Sequence, residues 1–195
     1  MINSFSNYIV LRLVEANLIS TEDREIYTFG LSQLTRYVVF LLACTFIGVV
    51  NHNLLGITCF VFFFIPLRNT TGGFHLKRDL PCFVFSIFTI LVYSLLQSWF
   101  EMYSPYLLVT LIVIFAFLQL VLPAVDHVNN PINHTGFKIF RIYKIKVISI
   151  EIIFSFLAIL FKFWVFPRAL LIALLLNIIS NVIGLLIRRN SLLGK

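Results

Sequence analysis

The chain has 195 residues, 60% of them hydrophobic and 12% charged, with a mean hydropathy of +0.99. Soluble domains average about 45–50% apolar and about 25% charged residues, so this composition excludes an ordinary soluble enzyme, a disordered chain and a disulfide scaffold. It predicts an all-α integral membrane protein, in which the net charge of +7 marks loops that meet anionic lipid rather than a nucleic-acid surface.

Residues 1–36 are expected to form a region of their own. Ile9, Val10, Leu13 and Val14 recur on one helical face with Arg12 and Glu15 off it, which predicts an amphipathic helix lying on the membrane. Asn17 to Thr21 interrupts that helix. Ser20 with Asp23 reads as the cap of a second helix that can continue into the first span. Nothing at Met1 to Ser4 resembles the basic start of a signal peptide.

Six apolar runs follow, at 37–50, 54–67, 82–100, 105–122, 147–166 and 168–187. A spanning helix needs about 20 apolar residues, so residues 37–195 are expected as six transmembrane helices. Asn51, His52 and Asn53 make a tight hairpin between the first two, and Pro167 is expected to break the last two. Two polar loops, 68–81 and 123–146, separate the pairs.

Charge predicts the orientation. With the N-terminus in the cytoplasm and six crossings, thirteen Lys and Arg fall inside and only Lys162 and Arg168 outside, a strong positive-inside bias. Both termini and both polar loops should face the cytoplasm. The basic run from Lys138 to Lys146 is expected to hold the second loop to lipid, or to attract an acidic peptide segment.

The segment from Arg68 to Cys82 is the most polar of the central chain and holds an imidazole and a thiol, His75 and Cys82. A cysteine nucleophile needs a base or an imidazolium partner to become a thiolate near neutral pH. Gly72 and Gly73 permit unusual backbone conformations and close approach of a substrate chain. Asp79 and Pro81 read as a helix start, which would place Cys82 in the first turn, where the helix dipole favours an anion. If the helix begins earlier, His75, Asp79 and Cys82 share one face, and Asp79 can orient His75. Cys44 and Cys59 lie deep in apolar runs and read as small hydrophobes. His52 reads as a solvated loop residue. His127 and His134 stand on the same side as His75, but no pair has the spacing of a zinc site. The second loop, Pro123 to His134, carries Asp126 and Asn129, either of which can orient His75; as a plain connector it needs neither.

The pattern Arg68, Gly72, Gly73, His75 and Cys82, with Ser86 four residues on, resembles the signature of AgrB, the accessory gene regulator B peptidase of Gram-positive bacteria. The loop with Pro123, Val125, Asp126, Asn129 and Pro131 is similar to that family's second signature, and Thr21 to Gly30 resembles its clostridial branch. The resemblance implies an integral-membrane cysteine endopeptidase of the bacterial cell membrane. Such an enzyme cuts the C-terminal part from a small AgrD-like precursor peptide and helps close it into a cyclic thiolactone or lactone for quorum sensing. It implies Cys82 as nucleophile, His75 as base, supporting roles for Arg68, Gly72 and Gly73, no cofactor, and a homodimer as a plausible assembly. Two positions depart from the family pattern: the acidic Asp79, which favours a capping role there, and Asn130, where lysine is common.

Two other classes compete with a peptidase. A small peptide transporter suits six spans, but no acid or base stands near the middle of a run, where coupling residues belong. A non-enzymatic scaffold or sensor is the third reading. Cys82→Ser and His75→Ala separate the three, because an enzyme alone loses precursor cleavage.

Overall fold

The computed structural model describes residues 2–193 apart from 72–78 and 124–133, with side-chain surroundings for 4–71, 84–123 and 139–187. Among the described residues all regular structure is helical: α1 (Ile2–Glu15), α2 (Arg24–Val50), α3 (Leu54–Thr71), α4 (Asp79–Phe100), α5 (Pro105–Val121), α6 (His134–Leu160) and α7 (Val165–Leu193). Among the described residues, three stretches are long and apolar enough to cross a membrane: Arg24–Val50, Leu54–Thr71 and Val165–Ile187. Val84–Phe100 and Pro105–Val121 are shorter apolar helices.

Helix ends follow local chemistry. At the start of α2, Ser20 Oγ accepts the Asp23 N–H at 3.2 Å and donates to the Asp23 carboxylate at 2.7 Å, as the sequence suggested. Pro105 opens α5, where its missing N–H is no loss, and Ser104 caps it by accepting from the Leu107 N–H. Three C-termini share one device. Asn17, His52 and Lys162 take φ of 56°, 51° and 61°. In each case that residue's N–H bonds three residues back and the next N–H bonds five back: Asn17 and Leu18 to Val14 and Leu13, His52 and Asn53 to Val49 and Gly48, Lys162 and Phe163 to Ile159 and Ala158. This left-handed closure satisfies the last carbonyls of the helix.

The closure at Lys162 corrects one expectation. The chain turns there, and Pro167 sits in the first turn of α7 rather than breaking anything, because N–H groups of a first turn have no intrahelical acceptor. The expected loops also shrink. Residues 68–71 are the last turn of α3, and 134–146 are the first half of α6. The run at 37–50 is the second half of a 27-residue helix.

The chain divides into two compact units, 1–46 and 47–195. In the first, Ser6 and Val10 are the buried positions of α1, while Arg12 and Glu15 pair at 3.1 Å on its exposed side. Arg24 Nη2 donates to Asn7 Oδ1 at 3.1 Å and ties α2 to α1.

In the second unit α7 is central. Every residue from Ala169 to Leu174 is buried, so this stretch is covered on all sides, and its small Ala169 and Ala173 allow close helix approach. α3 packs most extensively against it. Phe63 meets Phe166 edge-on with centroids 6.3 Å apart, and further along Thr71 meets Asn177, so the two helices run in the same direction. α4 runs back along α3. Asn53 Nδ2 donates to Gln97 Oε1, Phe60 stacks on Tyr93 at 4.4 Å, and the Arg68 guanidinium lies over the Phe85 ring at 5.5 Å.

Candidate active site

These pairings bring the borders of both polar segments to one end of the second unit. Thr71 ends α3 beside Asn177 of α7. Phe85, beside Arg68, places the start of α4 at that same end. Pro123 follows α5, and its carbonyl accepts from Asn181 Nδ2 at 3.2 Å. Leu122 O accepts from Lys144 Nζ at 2.5 Å, which brings the first half of α6 there as well. The opposite end holds the Asn51 to Asn53 turn and the Arg168–Glu101 ion pair at 3.7 Å.

α4 begins at Asp79, so Cys82 is its fourth residue and falls in its first turn. First-turn N–H groups lack intrahelical partners and favour negative charge. The side chains of Asp79 and Cys82 lie outside the described residues, as do Gly72, Gly73, His75, Asp126, His127 and Asn129 entirely. Cys44 and Cys59 are buried within α2 and α3 as free thiols, in keeping with small core residues. His52 is exposed and closes α2. No group of metal-ligating side chains occurs among the described residues.

Two of the residues expected at the site, Arg68 and Ser86, have described surroundings. Arg68 is half-buried between the rings of Phe64 and Phe85, at 5.9 and 5.5 Å, with Nη1 3.5 Å from Ser180 Oγ. It therefore bridges α3, α4 and α7 by cation–π and hydrogen-bond contact. Ser86 is half-buried on α4, one turn after Cys82.

The family model for accessory gene regulator B, AgrB, matches residues 2–187. The chain belongs to the AgrB family. That membership connects it with the processing of accessory gene regulator peptides and, with its apolar helices, makes it a membrane protein. No curated protein and no solved structure matches the chain.

The structure also buries polar residues that the sequence pattern did not single out. Asn177, Ser180 and Asn181 are all buried on one face of α7. Gln119, fully buried on α5, has no hydrogen-bond partner for either amide atom. Glu151, the fifth residue of the fifth apolar run, is 4% exposed, and neither carboxylate oxygen has a partner. The expectation of spans without interior charge passed over it because it stands near the run's start. Burial comes from the face of α6 it shares with Lys144, Ile148 and Ser155. Spacings of four, three and four residues on a helix form one stripe, which was the signal available in sequence.

Lys144 departs from its expected role as a lipid anchor. It is 3% exposed, and its ammonium donates to the carbonyl of Leu122, the residue that caps the C-terminus of α5. Burial, with Arg141 close by, pulls its pKa below the usual lysine range. A groove of about 600 Å³ lies beside it, lined by Phe117, Val121, Phe140 and Arg141 among others.

Proposed function

We propose that the chain is a membrane-embedded cysteine endopeptidase that cuts the C-terminal segment from a small AgrD-like precursor peptide and promotes its cyclisation. The observation that carries this reading is the position of Cys82 as the fourth residue of α4, in a chain of the AgrB family. A thiolate there meets unbonded N–H groups and the positive end of a helix. Cys44 and Cys59 sit in helix interiors whose N–H groups are already used.

The chemistry follows from a thiolate and an imidazole. His75 takes the Cys82 proton, and the thiolate attacks the scissile carbonyl. The C–N bond breaks, His75 returns the proton to the leaving amine, and a thioester remains on Cys82. A thiol within the bound peptide then exchanges with that thioester, closing a thiolactone and restoring the Cys82 thiol. The two sulfur esters are close in energy, so the step needs orientation and exclusion of water more than a driving force. Arg68, Gly72, Gly73 and Ser86 support the site, Asp79 caps α4, and Asp126 or Asn129 orients His75.

Six crossings with both termini in the cytoplasm complete the proposal. Thirteen basic residues against two favour that orientation. The common direction of α3 and α7 fits a second and a sixth crossing. Precursor mass spectrometry tests the enzyme. Wild-type chain should yield the shortened peptide, and Cys82→Ala and His75→Ala should leave the precursor whole while still inserting in membranes. Normal processing by both variants would sink the peptidase.

One observation favours a second reading, peptide export without proteolysis. Glu151 is a carboxyl buried in the helix bundle with no partner, as coupling residues of transporters are. In that case Glu151→Gln abolishes peptide release from cells, and Cys82→Ala does not.

A further inference from the structure

We infer that the α7 face formed by Asn177, Ser180 and Asn181 is the positioning scaffold of the active site, fixing the points from which both polar segments leave the helices. The inference rests on the peptidase reading and deepens it by naming residues outside either sequence signature.

Three contacts carry it. Thr71, the last residue before Gly72 and Gly73, is fully buried, and its Oγ1 donates to Asn177 Oδ1 at 3.0 Å. Asn181 Nδ2 donates to the Pro123 carbonyl at 3.2 Å, at the start of the second segment. Ser180 Oγ lies 3.5 Å from Arg68 Nη1, and the same guanidinium covers Phe85, one turn after Cys82. Residues 177, 180 and 181 stand at i, i+3 and i+4, so one stripe of a rigid helix makes all three contacts.

The mechanical argument turns on the two glycines. A Gly-Gly pair has more backbone freedom than any other dipeptide. His75 follows it by two residues, so its position is defined on that side only if Thr71 is fixed. Thr70 Oγ1 donates to Leu67 O, a contact that orders only α3 itself; Thr71 Oγ1 also lies 3.0 Å from that carbonyl, so its one proton is shared between Leu67 O and Asn177 Oδ1. The bond to Asn177 refers the segment to α7, whose preceding turns are buried on every side.

Stability alone does not account for this face. Asn177 and Asn181 are both fully buried, and each uses one amide atom while Asn177 Nδ2 and Asn181 Oδ1 have no partner. Unsatisfied amide groups in an apolar bundle are costly. Leucine, close in volume, would pack there without that penalty.

The test uses full-length chain in liposomes, with Cys44→Ala and Cys59→Ala leaving Cys82 as the sole thiol. Three quantities are read: kcat and KM for the chain's own precursor peptide, and the pH profile of Cys82 alkylation by iodoacetamide. Asn177→Leu, which should fold at least as well as wild type, is expected to lower kcat about 10- to 100-fold, as a displaced reacting group does. KM should stay within about twofold, since ground-state binding is untouched. The alkylation midpoint should move toward that of a free thiol, about pH 8.5. Thr71→Val should do the same, the double variant should be no worse than either, and Asn177→Asp, which keeps the acceptor, should recover part of the rate. The exposed control Ile179→Val should behave as wild type. Wild-type kcat and alkylation in Asn177→Leu overturn the inference, and so does a double variant whose losses simply add. If wild-type chain leaves the precursor whole, the peptidase reading fails. The alkylation profile, which needs no precursor, still decides whether α7 positions the segment.

Discussion

The contact between α3 and α7 has two levels built on opposite principles. Toward the start of α7 it is apolar: Phe63 meets Phe166 edge-on, Phe60 and Leu67 are buried on the same stripe of α3, and α7 is buried on all sides from Ala169 to Leu174. Phe60 there stacks between Phe64 and Tyr93, at 5.1 and 4.4 Å. Two turns further on the same interface is polar, with Thr71, Asn177, Ser180 and Asn181 holding the borders of the candidate site. The apolar level gains dispersion and close packing at no polar cost. The polar level gives up part of that gain, because hydrogen bonds fix direction and register where apolar contacts do not. One level holds the helices together, and the other aims the segments that leave them.

That division can be broken in several ways. Phe60→Ala should have the largest effect on stability, a loss of about 3–5 kcal/mol, since it removes a fully buried ring from between two others. Reversible unfolding in mixed micelles reads it, and a loss no larger than that of a polar-level variant would erase the distinction. Glu151→Leu should act the other way and stabilise by about 1–3 kcal/mol, because it removes a buried carboxyl whose oxygens have no partner. A lower melting temperature would show that Glu151 has acquired a partner in the membrane. Asn181→Leu should shift stability by no more than about 1 kcal/mol, yet slow precursor cleavage, because the Pro123 anchor is lost while the packing is kept.

The smallest effect belongs to Lys144. Its pKa in the folded chain is lowered by burial and by Arg141, so the unfolded chain holds this proton at pH values where the folded chain has released it. Stability should therefore rise with pH from the folded value up to the ordinary lysine range near about 10.5, and the full penalty applies below that window. Lys144→Met should flatten the slope in the window that ends near about pH 10.5. An unchanged slope would mean that some other group produces it.

Much of the fold was legible because its signals are local. The Ser20–Asp23 cap, the turn at His52 and a helix start at Asp79 each depend on a few neighbouring residues, and each is found where the sequence puts it. Pro167 misled because proline ends a helix or begins one according to which side the preceding residues turn. Lys162, with its left-handed backbone, made that choice. Lys144 was read by charge alone as a lipid contact. Its burial comes from the meeting of α5 and α6, 22 residues apart in sequence. Of the candidate site, the proposed catalytic pair His75 and Cys82 was legible as a motif. The supporting face of α7 was not, because asparagine and serine at helical spacing look alike whether they meet solvent, lipid or another helix.

By itself the sequence determined an all-helical membrane chain of the AgrB family, since hydropathy, length and a short polar signature are properties of residue order. Tertiary structure decided which helix lies at the centre, which polar residues are buried, and that Thr71 and Pro123 are both held by α7. Those facts depend on contacts across 58 and 106 residues, and no local pattern in a chain this uniformly apolar distinguishes one packed face from another.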